Sequence, residues 1–380
     1  MNKRIILSLG SALMSLVSGV ANAEYALNLR APATEIAGQI YDLHMIILWV
    51  CAIIFVLVFS FMFYSIFKHR QSVGHEAAQF HENHVVEIVW TIIPAVILIA
   101  MAFPATKTIF AMKDTSAADM SVKITGMQWK WQYDYLDQGV QFISTLSTPE
   151  DQIHNKAEKG ENYLLEVDNP MVVPINKKVR LLITAKDVIH AWWIPEFGVK
   201  QDAIPGFIKE AWIKVDKPGV YRGQCAELCG QAHGYMPIVV EAVEEEKYNI
   251  WVASQKEAAA LANAGADREW TKDELIAGGK VVYEKNCAVC HQANGAGMPP
   301  AFPAISGSKI ALGAIFGPDG KYLPDSHIDR LLNGKGVMPS WKAILNDVEI
   351  ASVITYTRQA LGNSAAVDSI VQPAQIKASR

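Results

Sequence analysis

Cys225, Cys229, His233 and Met236 fall within twelve residues of one another. Thiolate and thioether select copper among the common metals, and imidazole is compatible with it. Gly223, Gly230 and Gly234 let the loop between them fold tightly. A second imidazole, His190, stands upstream, just after an apolar alternating run. One cysteine with two histidines and a methionine would suit a mononuclear blue-copper site. Two thiolates can bridge two copper ions that share one unpaired electron. Three other readings stand beside copper. A Cys225–Cys229 disulfide leaves His233 and Met236 without a role, a structural zinc site has no use for methionine, and the spacing could be coincidence.

A second constellation follows in Cys287-Ala-Val-Cys290-His291. Two thiols at this spacing can add to the two vinyl groups of a haem, while the adjacent imidazole reaches the iron. The competing reading is a redox-active disulfide, which would want a βαβ setting that the helical surroundings do not offer. A sixth iron ligand could come from Met298 or Met338, each followed by proline. Methionine–histidine ligation raises a haem's potential and suits electron transfer.

These sites need elements to position them. A chain of 380 residues is long enough for two or three domains. Half of its residues are hydrophobic, the excess lies near the N-terminus, and a net charge of −4 gives no basic field for nucleic acid. Residues 1–23 read as a signal peptide: Lys3 and Arg4, an apolar run, then Ala21-Asn22-Ala23. Residues 24–111 read as a transmembrane hairpin, with helices over about 42–67 and 85–110. Lys68, His69 and Arg70 favour a cytoplasmic loop at 68–84, which puts everything after about residue 111 outside the cytoplasm. In that compartment a disulfide is the default for a close cysteine pair, while Cys51, inside a membrane helix, reads as packing. Residues 112–245 are β-rich, with strands expected at 122–125, 129–135, 163–167, 179–184, 208–215 and 236–242. Residues 246–271 read as an alanine-rich helix running into a linker, 272–363 as a helical domain with His327 exposed, and 364–380 as a disordered tail.

The stretch from Gly223 to Pro237, GQCAELCGQAHGYMP, resembles the binuclear copper loop of cytochrome c oxidase subunit II. The resemblance runs from the first membrane helix to about Val243. It includes EIVWTIIP from Glu87, GMQWKW from Gly126, DVIHAW from Asp187 and KQDAIPG from Lys200. It implies a helical hairpin carrying an all-β, cupredoxin-like barrel. Cys225 and Cys229 would bridge both coppers, and His190 and His233 would each ligate one. Met236 and the Glu227 carbonyl would be the weak ligands, and the Glu227 side chain would share a magnesium or manganese ion with subunit I. The resemblance puts Trp129 on the surface above the copper, where electrons enter, and leaves Trp131 as packing. It puts Glu87 at the mouth of a proton-uptake channel of subunit I. Met127 and Lys130 depart from the pattern, where relatives often carry histidine and an aromatic, and with Lys186 they alter the docking surface for a free cytochrome c.

Residues 273–362 resemble a class I cytochrome c, an all-α domain in which Met338 would be the axial ligand to a haem c held by Cys287, Cys290 and His291. Together the resemblances imply subunit II of a bacterial cytochrome c oxidase with a fused cytochrome. It would sit multi-pass in the inner membrane among lipid, with both redox domains on the periplasmic face. Its partners would be subunit I, which reduces oxygen and translocates protons, and subunit III. Its donor would be a cytochrome or a quinol–cytochrome c reductase. A membrane-anchored copper and haem module serving a different terminal reductase is the alternative.

Overall fold

The structure, a computed structural model, describes residues 28–76, 81–300, 302–336, 338–342 and 344–380. The expected signal peptide, residues 1–23, lies outside these residues. The hairpin consists of α1 (Glu35–Lys68) and α2 (His84–Lys113). At 1.5 Å per residue α1 is about 51 Å long and α2 about 45 Å, more than a bilayer core requires. Both are apolar around their whole circumference, with Phe61 and Phe103 on the outside. That surface suits lipid rather than water.

Helix α1 begins at Glu35, earlier than expected, because its first turn belongs to the next domain. Thr34 caps it by accepting from the Ala37 N–H, and the same hydroxyl donates to the Phe197 carbonyl. Ile36 and Ala37 are buried there. Gly198 takes φ +67°, and a Cβ on it would meet the Ala37 backbone at 3.0 Å. At the end of α2, on the same side of the hairpin, the Trp212 indole donates to the Ala111 carbonyl at 3.0 Å.

The β-domain pairs two five-stranded sheets. One has the order β3 (Val140–Ser144), β2 (Lys130–Tyr135), β1 (Met120–Met127), β5 (Val179–Ala185), β8 (Lys209–Ile213). The other runs β4 (Met171–Pro174), β10 (Pro237–Val243), β9 (Gly219–Cys225), β6 (His190–Ile194), β7 (Val199–Ala203). The pairs β1–β5 and β4–β10 are parallel and the rest antiparallel. Trp131, Tyr133, Leu181, Ile183, Trp192 and Ile238 fill the space between the sheets. Strand β5 alternates buried and half-buried positions, which made it readable. Strand β4 is buried at every position and β6 at all but one, so neither alternates. The expected strand at 163–167 is a turn. Leu164 takes φ +61°, which an extended strand forbids, and Val167 makes only a single bridge to Leu146. Glu150–Ile153 forms one helical turn, α3.

Helix α4 (Glu245–Ala264) occupies most of the expected linker. Tyr248 and Trp251, three residues apart and so on one helical face, dock it on the β-domain. Trp251 packs on Tyr135 and Phe142, with ring centroids 5.1 and 5.9 Å away.

The C-terminal domain contains α5 (Lys272–Asn286), α6 (Ala288–His291), α7 (Lys309–Leu312), α8 (His327–Asn333), α9 (Asp347–Gln359) and α10 (Pro373–Ser379). Helices α5 and α9 begin with reciprocal caps, Thr271 with Glu274 and Asn346 with Glu349. They cross where Gly279 touches the Ser352 backbone, and a Cβ on Gly279 would lie 2.0 Å from the Ser352 carbonyl oxygen. Gly279→Ala is expected to destabilise this domain by about 1–3 kcal/mol, as overpacking does. Thermal unfolding followed at the haem band checks this, and an unchanged transition would refute it.

Two expectations fail here. Residues 364–380 are not a loose tail: Val371 and Ile376 are fully buried, and Gln372 exchanges hydrogen bonds with the Trp270 backbone. The apolar positions are too few for a sequence pattern, but they complete the core beside α9. His327 is buried, not exposed, because the first turn of α8 faces the core. Its Nε2 is 3.5 Å from the Thr357 hydroxyl. Burial, reinforced by the Arg358 charge, pulls its pKa to about 3 and keeps it neutral.

Candidate metal centre

Strand β6 opens with His190, and β9 ends with Cys225, paired to Trp192 of β6. The β9–β10 connection carries Cys229 and His233 and returns to Met236 beside β10. Short pairing between adjacent strands therefore gathers ligands separated by 46 residues of sequence. The sulfurs of Cys225 and Cys229 stand 3.8 Å apart, far beyond a disulfide bond of about 2.05 Å. Cys229 Sγ is 3.5 Å from His233 Nδ1 and 3.5 Å from Met236 Sδ. Cys225 Sγ is 3.3 Å from the Glu227 carbonyl oxygen. The ligand atoms of His190, Cys225 and Cys229 all lie within 4.8 Å of one another, and all three residues are buried.

The donor set fits copper. His190 Nε2 is bonded to Asp187 Oδ1 at 2.8 Å, while its buried Nδ1 has no hydrogen-bond partner among the described residues. That leaves one nitrogen of the ring for a metal. The thiols behave as one unit. The contact with Cys229 lowers Cys225 against its burial, and the same contact, with burial, raises Cys229. A cation held by both sulfurs would displace their protons.

Two residues shape the site without a place in the expected ligand set. A Cβ on Gly126 would lie 2.9 Å from His190 Cδ2, so glycine leaves room for the imidazole. Asp187 fixes the ring and also accepts from the Gln128 and Val188 N–H groups. Burial works against its ionisation, but these bonds prevail and keep the carboxyl below its ordinary value. The Asp187-x-x-His190 spacing was the available signal for this pair. Asp187→Asn is expected to weaken copper binding about 10–100-fold while leaving the fold intact. Copper titration of the variant checks this, and wild-type affinity would refute it.

At the second constellation, Cys287 ends α5, and the turn of α6 presents Cys290 and His291. Both cysteines are free. His291 Nδ1 donates to the Pro303 carbonyl at 2.8 Å, which leaves Nε2 for iron. Burial pushes Cys287 up to about 12, raises Cys290 and lowers His291, each toward its neutral form. These groups fit covalent haem. Met338 packs against the same apolar cluster as Cys287, Ala288 and Trp341. Met298 instead exchanges backbone hydrogen bonds with Phe302.

The remaining expected residues divide. Trp131 is fully buried packing, as read, and its indole donates to the Met236 carbonyl. Trp129 adjoins the metal loop, its indole donating to the Cys229 carbonyl at 3.2 Å, but it is 7% exposed rather than on the surface. The metal loop itself lies on the indole, where a Cβ on Gly230 would come within 3.1 Å of the ring, and Cys290 and Phe302 of the fused domain pack against the core cluster that contains Trp129. Glu227 is half-buried, next to Leu228, which is 78% exposed. Glu87 accepts from the Asn83 N–H at 3.3 Å and so closes the first turn of α2.

Models of the cytochrome c oxidase subunit II family match this chain twice, the transmembrane domain over residues 22–108 and the periplasmic domain over 120–243. The model for subunit III of cbb3-type cytochrome c oxidase matches residues 274–356. Cytochrome c oxidase subunit 2 of Cereibacter sphaeroides is 38% identical over 233 residues, 58% of this chain and 77% of that protein. The protein of the same name from Mycosarcoma maydis is 42% identical over 183 residues, 46% of this chain and 70% of that one. The crystal structure of the periplasmic domain of subunit II of cytochrome oxidase of Bradyrhizobium japonicum is 43% identical. It covers 38% of this chain and 98% of that one, with a TM-score of 0.34. With a copper-type ligand cluster, two apolar helices and a haem-attachment motif in one chain, this protein belongs to the cytochrome c oxidase subunit II family and carries a cytochrome c domain at its C-terminal end.

Proposed function

We propose that Cys225 and Cys229 bridge a pair of copper ions, with His190 Nδ1 and His233 Nδ1 as the nitrogen ligands. Met236 Sδ and the Glu227 carbonyl would be the weak ligands. Cys287 and Cys290 would hold a haem c through their sulfurs, and His291 and Met338 would supply the ligands to its iron. Bound copper and haem supply one-electron carriers. The chain contributes buried, pre-positioned ligands that change little between oxidation states, and it relays electrons toward subunit I, where oxygen is reduced. The observation that carries this reading is the position of Cys229 Sγ, 3.5–3.8 Å from a thiol, an imidazole and a thioether at once.

Trp129, bonded to the backbone of a bridging ligand, is the point where electrons enter the copper domain. The Glu227 carboxylate faces subunit I and shares magnesium or manganese with it. Glu87 serves the mouth of a proton-uptake path. The signal peptide is removed on export. The hairpin crosses the inner membrane twice, subunit III joins the assembly, and a cytochrome or a quinol–cytochrome c reductase reduces the haem domain.

The test is copper and covalent haem per chain in the purified complex, with electron paramagnetic resonance on the oxidised sample. Two coppers sharing one unpaired electron, beside one haem, is the expected result. Zinc, a single copper or a Cys225–Cys229 disulfide would overturn the copper assignment.

A further inference from the structure

Lys130 holds neither copper nor haem, yet it is only 3% exposed, an uncommon state for lysine. It follows Trp129 in the tight β1–β2 connection, where its backbone pairs with Met127. Its ammonium reaches out of the copper domain. Nζ is 3.5 Å from the carbonyl oxygen of Asn286, the last residue of α5, and 4.4 Å from the centre of the Trp341 ring. A helix C-terminus carries partial negative charge and unpaired carbonyls, so a lysine there acts as a cap. Here the cap comes from a different domain. The aromatic face adds a cation–π contact. Burial draws the Lys130 pKa down to about 8, which leaves it mostly charged at neutral pH. A desolvated ammonium is costly unless its partners are held in place.

Independent contacts tie the same two surfaces together. Lys285, next to Asn286, pairs with Asp168 of the copper domain at 2.6 Å. Cys290 of the attachment motif and Phe302 pack against the copper-domain core.

We propose that Lys130 is a positioning residue: by capping α5 and lying on Trp341, it seats the chain's own haem-attachment turn over Trp129 and closes that face to any external donor. An external cytochrome must then deliver its electrons to the fused domain. The inference rests on the reading of Trp129 as the place where electrons enter.

The test uses the complete oxidase with copper and haem bound, as Lys130→Met and Lys130→Arg. Hydrogen exchange at residues 129–131 and 286–290 reads the seating, and flash-initiated transfer from haem c to copper reads the relay. The methionine variant is expected to lose protection at both segments and to slow transfer about tenfold or more, since small misplacements of reacting centres cost rate steeply. Arginine should restore both, with the haem spectrum and copper resonance unchanged throughout. Unchanged protection would overturn the seat whatever the rate. Lost protection with an unchanged rate would uphold the seat and sink Trp129 as the electron entrance. If the methionine variant does not assemble, Asp168→Asn removes the neighbouring ion pair, and undiminished protection there would also count against the seat.

Discussion

Cys229→Ser is expected to abolish the shared-electron copper signal and to lower oxygen consumption by about two orders of magnitude or more, since losing even an outer partner of a metal site costs about 10–100-fold. Cys229 is the hub of the site: its sulfur lies closest to the other thiol, to His233 and to Met236. A serine hydroxyl is a harder ligand and does not ionise near neutral pH, so it cannot replace a bridging thiolate. The fold should survive, because the barrel core rests on Trp131, Trp192, Leu181 and their neighbours rather than on the thiol. Covalent haem should remain, since Cys287 packs in the C-terminal cluster and the attachment turn is held by the His291–Pro303 hydrogen bond, neither of which involves Cys229. Paramagnetic resonance together with haem quantitation decides it. A full copper signal in the serine variant would remove Cys229 from the ligand set.

Met338→Ala is expected to retain covalent haem, lower its reduction potential and slow reduction of the haem by its donor. The attachment chemistry needs only the two thiols and His291, which stay in place through the Pro303 hydrogen bond. Loss of a thioether ligand removes the factor that raises the potential of a methionine–histidine haem. A haem of lower potential is harder for a high-potential donor to reduce, so oxygen consumption with reduced cytochrome c should fall. Met298→Ala supplies the contrast. Its neighbour Phe302 is held by backbone hydrogen bonds that alanine preserves, so potential and rate should stay at wild-type values. Redox titration of both variants separates the two methionines. A shifted potential in the Met298 variant and none in the Met338 variant would reverse the assignment.

The amino-acid sequence alone determined the chemistry of this protein. Ligand types at short spacing, CAELCGQAHGYM and CAVCH, are local facts, and two long uncharged runs suffice to mark a membrane hairpin. Strands with clear alternation, such as β5, were legible for the same local reason. Tertiary structure decided what depends on contacts between distant segments. It chose which His190 nitrogen stays free, through Asp187, and required glycine at position 126 beside that ring. It docked the expected alanine-rich helix on the β-domain through Tyr248 and Trp251, and turned an expected tail into core through Val371 and Ile376. It buried His327 and Trp129, both expected at the surface, because exposure is a property of what packs above a residue. Lys130 stood out in the sequence only as an unusual residue between two tryptophans. Its contact with Asn286, 156 residues away, exists only once two domains meet.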